Sequence, residues 1–182
     1  ITASAGTYIE DITVSKAVKL RGAQYGVSPN PSRASAESII VPATSDPNPN
    51  TGGQIIYLTA AASGAEIDGF TIDGDNPNLT SIVNINGANI DAVEAISAYD
   101  GLSNTTVSKN IIKNLNYAAI DFYNFTNGGA STTGNTIANN NFDNILPTAF
   151  GIGVLIYNNC YTDITNNVMT RVRLGIQTGN FY

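Results

Sequence analysis

The sequence predicts an all-β fold, a parallel β-helix in which the chain winds through stacked coils of several short strands each. Two observations lead to this prediction. A block of apolar residues and asparagine recurs along the chain, and a second apolar strand follows each copy. The copies are roughly 24 to 32 residues apart, which is too short for parallel strands joined by helices but suits one coil of a solenoid. We expect one domain over residues 1–182.

The repeat is clearest in three segments that align without gaps: NTTVSKNIIKNL at 104–115, NTIANNNFDNI at 135–145 and TDITNNVMTRV at 162–172. The aligned asparagines are Asn110, Asn140 and Asn167, and Phe70 takes their place in an earlier copy, AEIDGFTIDG at 65–74. Asparagine tolerates the left-handed backbone of a sharp corner. Because stacked coils lie ~4.8 Å apart, these asparagines predict an amide ladder beside a corner, with the apolar columns filling the interior.

The second strand of each coil supplies the aromatic residues. Its copies are YAAIDFYNF, AFGIGVLIYN and RLGIQTGNF, which we align on Ile120, Ile152 and Ile176. Five positions later this alignment places Phe125, Tyr157 and Phe181 in one column, with Tyr123 and Tyr161 nearby. Such a column indicates either a strip on which sugar rings stack or an aromatic stack packed inside or under a loop, and the packed stack is the favoured interpretation.

The remaining segments are less regular. Residues 1–60 predict looser N-terminal coils with Pro-rich and Asn-rich loops at 27–38 and 42–53, and residues 61–182 predict regular coils. The wide gap between Ile67 and Val107 favours one coil with a long insertion over two shorter coils. The nearest candidate for a helix, DAVEAI at 91–96, is at most two turns long. Since the sequence ends partway through a coil, we expect the chain to continue or a second copy to stack there.

These repeats, together with AGTYIEDITVSKAVKLRGA at 5–23, resemble the right-handed parallel β-helix proteins of the pectate-lyase-like superfamily. The N-terminal coil is similar to that of pectin methylesterases. The resemblance implies right-handed coils, in agreement with the general rule for parallel connections. Because one fold carries many activities, function has to be argued from the site.

Catalytic chemistry finds little support in the sequence. The chain has no histidine, which excludes His-based triads and His metal sites. The resemblance implies either a Ca²⁺ cluster of acids beside an arginine or two aspartates from neighbouring coils with an arginine and glutamines. Neither set can be placed in register, and we expect Arg171 and Arg173 to make surface ion pairs.

The sequence therefore favours a non-catalytic, secreted or cell-surface domain with a structural or adhesive role, for which a polysaccharide or cell-surface glycan is a candidate ligand. Two alternatives stay open. One is a carbohydrate-active enzyme, a polysaccharide lyase, esterase or hydrolase, and the other is a self-stacking block of a fibre or surface layer that associates end to end.

Charge and composition limit the classes of partner that the chain is expected to bind. A net charge of −6 argues against nucleic-acid binding through phosphate neutralisation. The sequence lacks an apolar stretch long enough for membrane insertion. The single cysteine, Cys160, excludes an internal disulfide and is expected to be a small buried apolar residue.

We expect no cofactor, and Ca²⁺ is the one alternative, for which two acidic loops are candidates. DGDNPN offers Asp73, Asp75 and Asn78, and DPNPNTG offers Asp46, Asn48 and Asn50, since oxygen ligands at alternate positions suit a hard cation. Both loops lack the glycine and the terminal glutamate of an EF-hand. Ordinary turn chemistry is therefore the favoured interpretation.

Overall fold

The structure is a computed structural model and describes residues 1–33, 35–125, 131–145 and 151–180. Within this part the chain is nearly all β, with one short 3₁₀ helix at Ala60–Ala62. The strands are β1 (Gly6–Ile9), β2 (Ile12–Val14), β3 (Lys19–Arg21), β4 (Ser38–Val41), β5 (Gln54–Leu58), β6 (Glu66–Asp68), β7 (Phe70–Asp73), β8 (Asn84–Ile85), β9 (Ala88–Asn89), β10 (Glu94–Ala98), β11 (Thr106–Ser108), β12 (Ile111–Leu115), β13 (Ala118–Phe122), β14 (Thr132–Ala138), β15 (Asn141–Ile145), β16 (Ile152–Tyr157), β17 (Cys160–Thr165), β18 (Val168–Val172) and β19 (Leu174–Gly179).

The strands form three long parallel sheets that the chain visits in turn. The first sheet has the order β1-β4-β7-β12-β15-β18, the second β2-β5-β10-β13-β16-β19 and the third β3-β6-β11-β14-β17. Each successive coil therefore adds one strand to each sheet, directly above its equivalent in the coil before. This arrangement confirms the predicted parallel β-helix.

Apolar columns inside the sheets form the core. In the third sheet Ile67, Val107 and Ile137 pair in register and are fully buried. The first sheet adds Ile112 and Phe142, which pair directly and are equally buried. Because side chains on paired parallel strands stack at the strand spacing, one aligned column after another gives a dry interior. These two predicted alignments are confirmed.

The predicted amide ladder is also confirmed. The Oδ1 atom of Asn140 accepts hydrogen bonds from the backbone and side-chain nitrogens of Asn110 at 2.9 and 3.2 Å. Asn140 in turn donates through Nδ2 to the Val107 carbonyl and to Asn167 Oδ1, both at 3.0 Å. The left-handed residue at this corner lies one position earlier: Gly69, Lys109, Asn139 and Asn166 all have φ between 52° and 81°. The sharp turn and the amide ladder thus use adjacent residues.

The long gap in the repeat is one coil with an insertion, as predicted. Ile67 pairs directly with Val107, and the extra residues include the antiparallel hairpin β8–β9. The helix candidate at 91–96 is not helical, since Glu94 begins strand β10. The acids and bases of the first sheet form cross-coil ion pairs, with Lys113 Nζ 2.8 Å from Asp73 and with Arg171 bound to Asp143. The ion pair expected for Arg171 is thus confirmed, whereas Arg173 forms none with the described residues.

Candidate ligand-binding face

The outer side of the second sheet carries the aromatic residues, in a register that differs from the predicted one. Ile120 pairs with Val154, whereas Ile152 pairs with Ala118. The predicted alignment of Ile152 with Ile120 was therefore wrong by two residues. The physical reason is that β16, IGVLIY, is apolar at nearly every position, so its hydrophobic pattern fits more than one register.

Tyr123, rather than Phe125, consequently stacks with Tyr157. Their ring centroids are 5.2 Å apart with an interplanar angle of 12°, and Tyr99 meets Tyr123 edge-on at 5.9 Å. Phe125 stacks on Tyr123 at 4.9 Å, and Tyr57 lies 5.7 Å from Tyr99. We call these five rings the aromatic array.

Hydrogen bonds fix the hydroxyl groups of the array. Gln54 Nε2 donates to the Tyr99 hydroxyl at 2.8 Å, and that hydroxyl donates to Glu94 Oε2 at 2.7 Å. Gln177 Nε2 donates to the Tyr157 hydroxyl at 2.6 Å. Burial is the main cause that raises the pKa of Tyr99 above the usual tyrosine range, so this hydroxyl stays protonated. The rings are therefore held in place before any ligand arrives.

Exposure varies along the array. Phe125 is 54% exposed, whereas Tyr123 is buried between its neighbours. Tyr161, on β17, is 60% exposed and lines a hollow of about 340 Å³ together with Tyr157. The hollow also has polar walls from Asn159, Thr162 and Asn180. Of the residues predicted to bind sugar, Phe181 lies outside the described residues, and the role of Phe125, Tyr157, Tyr123 and Tyr161 stays a prediction.

An acid pair that the sequence analysis missed lies beside the array. The carboxyl groups of Glu94 on β10 and Asp121 on β13 lie next to each other, and both residues are buried. Desolvation raises the pKa of both carboxyl groups, and the negative Glu94 raises that of Asp121 further, to about 10. The pair therefore retains a proton at neutral pH.

The surroundings of the pair are polar, but some of the buried polar atoms lack a hydrogen-bond partner among the described residues. Asp121 Oδ1 has no hydrogen-bond partner within the described part of the chain. The Ser97 hydroxyl lies beside the Glu94 carboxyl but makes no hydrogen bond of good geometry with the described residues. The signal for this site was an acid inside each of two otherwise apolar or small-residue strands, EAISA and AAIDF.

The geometry of the pair does not suit glycoside hydrolysis. Catalytic carboxyl groups of glycosidases lie about 5 Å or more apart so that the sugar and, in inverting enzymes, a water fit between them. Glu94 and Asp121 are in direct contact and buried. Within the pair, Glu94 accepts a hydrogen bond from the Tyr99 hydroxyl and holds that ring in place.

The first candidate Ca²⁺ loop is occupied by its own hydrogen bonds. Asp73 Oδ1 accepts from the Asp75 backbone nitrogen at 3.1 Å, and its other oxygen pairs with Lys113. Asp75 Oδ2 accepts from the Asn89 nitrogen at 3.2 Å. The backbone nitrogen of Asn78 donates to a neighbouring asparagine. Burial raises the pKa of Asp75, which makes its charged form less favourable.

The oxygens of the second candidate Ca²⁺ loop also accept hydrogen bonds from within the loop. Asp46 Oδ1 accepts from the Thr51 hydroxyl at 2.7 Å, and Asn48 Oδ1 accepts from the Asn50 nitrogen at 3.0 Å. These are turn-forming contacts. Among the described residues no three His, Cys, Asp or Glu side chains converge on one point. Ordinary turn chemistry therefore stays the favoured prediction for both loops, with calcium binding as its alternative.

No helix in the described ranges is long and apolar enough to cross a membrane. Cys160 is buried, as expected, and burial raises the pKa of its thiol. Comparison of the chain with protein-family models, with curated proteins and with solved structures gave no significant match in any of the three. Function is therefore argued from the geometry of this face.

Proposed function

We propose that the chain is a non-catalytic glycan-recognition domain of a secreted or cell-surface protein and that it binds an extended sugar chain along the aromatic array. One observation carries the proposal: Tyr57, Tyr99, Tyr123, Phe125 and Tyr157, from four successive coils, form one connected array on the outer side of a single sheet. A line of rings across the coils suits a linear polymer better than a compact small molecule.

The chemistry of the array also favours a sugar. Aromatic rings present an apolar surface to the C–H groups of a sugar ring, while hydroxyl and amide groups form hydrogen bonds with its hydroxyls. Gln54 and Gln177 bring amides to the array, and the exposed Asp100 accepts from the Tyr57 hydroxyl at 3.4 Å. Because the rings are already fixed, binding costs little additional side-chain ordering.

The hollow beside Tyr161 adjoins one end of this face, and its walls include Ile156, Cys160 and Ile164 from the core. Its volume of about 340 Å³ lies within the usual range of small-ligand sites, about 300 to 1,000 Å³. Asn159, Thr162 and Asn180 add amide and hydroxyl groups next to two tyrosine rings. We assign the hollow to a terminal sugar unit of the bound chain. The similarity of 5–23 to pectin methylesterase coils supports membership of the pectate-lyase-like superfamily as part of this proposal.

A glycan array with the intact chain tests the proposal. The informative variant is the double substitution Phe125→Ala and Tyr161→Ala, because both rings are largely exposed and their removal leaves the core intact. The matched control is Tyr25→Ala, an aromatic ring that is 46% exposed and packs under Arg21. Each variant is checked for folding by circular dichroism and thermal unfolding.

We expect the parent and Tyr25→Ala to bind the same glycan class, and the double variant to bind at least about tenfold more weakly, which is the loss of about 1.4 kcal/mol. A folded double variant that binds as tightly as the parent contradicts the assignment of the face. A parent that binds no glycan contradicts the proposed function as a whole.

A further inference from the structure

We infer that the ligand of the aromatic array is an uncharged glycan and that chains with a carboxylate or sulfate on each sugar are excluded. This inference rests on the proposed function and adds the chemical class of the ligand. It comes from the charged side chains around the array, which are acidic rather than basic.

The second sheet has acids and no bases. Its six strands, ITV, QIIYL, EAISA, AAIDF, IGVLIY and LGIQTG, contain Glu94 and Asp121 but no lysine or arginine. The exposed Asp100 adds a further acid beside Tyr57. The centre of the array thus has acidic but no basic side chains near it: the buried Glu94–Asp121 pair, which retains a proton, lies beneath the rings, and only Asp100 is exposed.

Most of the chain's basic side chains form ion pairs with acids outside the second sheet. Of eight lysines and arginines, six form ion pairs with acids outside the second sheet: Lys19, Arg21, Arg33, Lys109, Lys113 and Arg171. The other two are at opposite ends of the face. Lys16 follows β2 in the first coil, and Arg173 precedes β19 in the last described coil.

An anionic glycan would have to lose water from its charges on this face without gaining a counter-charge. Charged groups that are desolvated beside like charges weaken binding strongly, and this is a common device for rejecting wrong partners. A neutral sugar meets no such cost, since amides and hydroxyls satisfy its hydroxyl groups. The negative charge beside the array therefore selects neutral glycans, because it repels anionic ones.

Chemically matched pairs of polysaccharides test this inference. Each neutral polysaccharide that binds the parent is compared with its own carboxymethylated form, at low and at high ionic strength. We expect at least tenfold weaker binding of the carboxymethylated form at low salt. The difference should shrink in about 0.5 M salt, where charges are screened over a few ångströms.

The variant Asp100→Lys places a cation beside Tyr57 and should gain affinity for the carboxymethylated form while keeping the neutral one. Asp100→Asn is the matched control and should change the ratio less. If the parent binds the carboxymethylated form as tightly as the neutral form, this inference is overturned while the proposed function stands. If it binds no polysaccharide at all, both are overturned.

Discussion

The carboxyl groups of Glu94 and Asp121 lie next to each other on the neighbouring strands β10 and β13, beside the aromatic array. Two buried carboxyl groups in contact do not both ionise near neutral pH, because each charge disfavours the other and burial disfavours both. In the unfolded chain the same groups ionise near pH 4. Between about pH 5 and 8 the folded protein therefore binds protons that the unfolded chain releases.

The first prediction concerns stability and pH. Since folding raises the pKa of Asp121 to about 10, its contribution to stability is complete below the unfolded pKa and declines as pH rises toward the folded pKa. We expect the free energy of unfolding attributable to the pair to fall with pH from 5 to 8, by at most about 1.4 kcal/mol per pH unit for one proton. Urea unfolding of the parent and of Asp121→Asn at pH 5, 6.5 and 8 measures this.

The Asp121→Asn variant isolates the effect because its amide still donates to Glu94 but carries no titrating proton. Its stability should depend less on pH than that of the parent over the same range. The difference between the two proteins is the relevant quantity, since carboxylates elsewhere contribute equally to both. Parallel curves for the two proteins would show that the pair does not hold a proton.

A second prediction concerns the amide ladder. Asn140 is fully buried and links Asn110, Val107 and Asn167 through its side chain. Asn140→Ala leaves buried donors and acceptors on both neighbouring coils without partners, each at a cost of about 1–3 kcal/mol. We expect a loss of at least about 2 kcal/mol in urea unfolding. Asn141→Ala, at a half-buried position outside the ladder, should lose much less, and equal losses would rule out a special role for the ladder.

The fold was predictable where the repeat is regular. The copies containing Val107, Ile137 and Ile164 have identical internal spacing, so aligning them placed these residues in one interior column, as the structure has it. The second sheet gave a wrong register because the strand IGVLIY is apolar at nearly every position. In such a strand the pattern of apolar and polar residues does not indicate which side chains face inward.

The acid pair was not predictable from spacing. Glu94 lies in a segment that also fits a short helix, and its approach to Asp121 depends on the register between β10 and β13. The stacking of Phe125 on Tyr123 depends on the backbone leaving the strand after Phe122. Both features follow from the register between coils, which the sequence specifies only where polar and apolar residues alternate.

A third prediction concerns calcium. The oxygens of Asp46 and Asp73 already accept hydrogen bonds within their own turns, so a cation would have to replace these contacts. We expect the thermal unfolding temperature to be the same in 5 mM CaCl₂ as in EGTA, to within about 1 °C, because a ligand stabilises only if it binds the folded chain in excess of its Kd. If calcium raises the unfolding temperature, Asp46→Asn and Asp73→Asn, tested separately, show which loop is the site.

The last prediction concerns Arg33, whose side chain is 2% exposed and closes the N-terminal loop over the corner of the coils. Its guanidinium binds both carboxylate oxygens of Glu37, at 2.8 and 2.9 Å, and donates to the carbonyls of Phe70 and Lys109 at 3.0 and 2.6 Å. A lysine ammonium does not reproduce this fork of planar donors. We expect Arg33→Lys to lower the free energy of unfolding by about 2–4 kcal/mol.

Part of that loss arises because Glu37 keeps its charge with a poorer partner. The double variant Arg33→Met and Glu37→Gln removes both charges, and we expect it to be more stable than Arg33→Met alone, because an unpaired buried charge costs more than no charge. Urea unfolding of the single and double variants gives the coupling energy between the two residues. A coupling energy below about 0.5 kcal/mol would show that the Arg33 contacts with backbone carbonyls, rather than the ion pair, hold the loop.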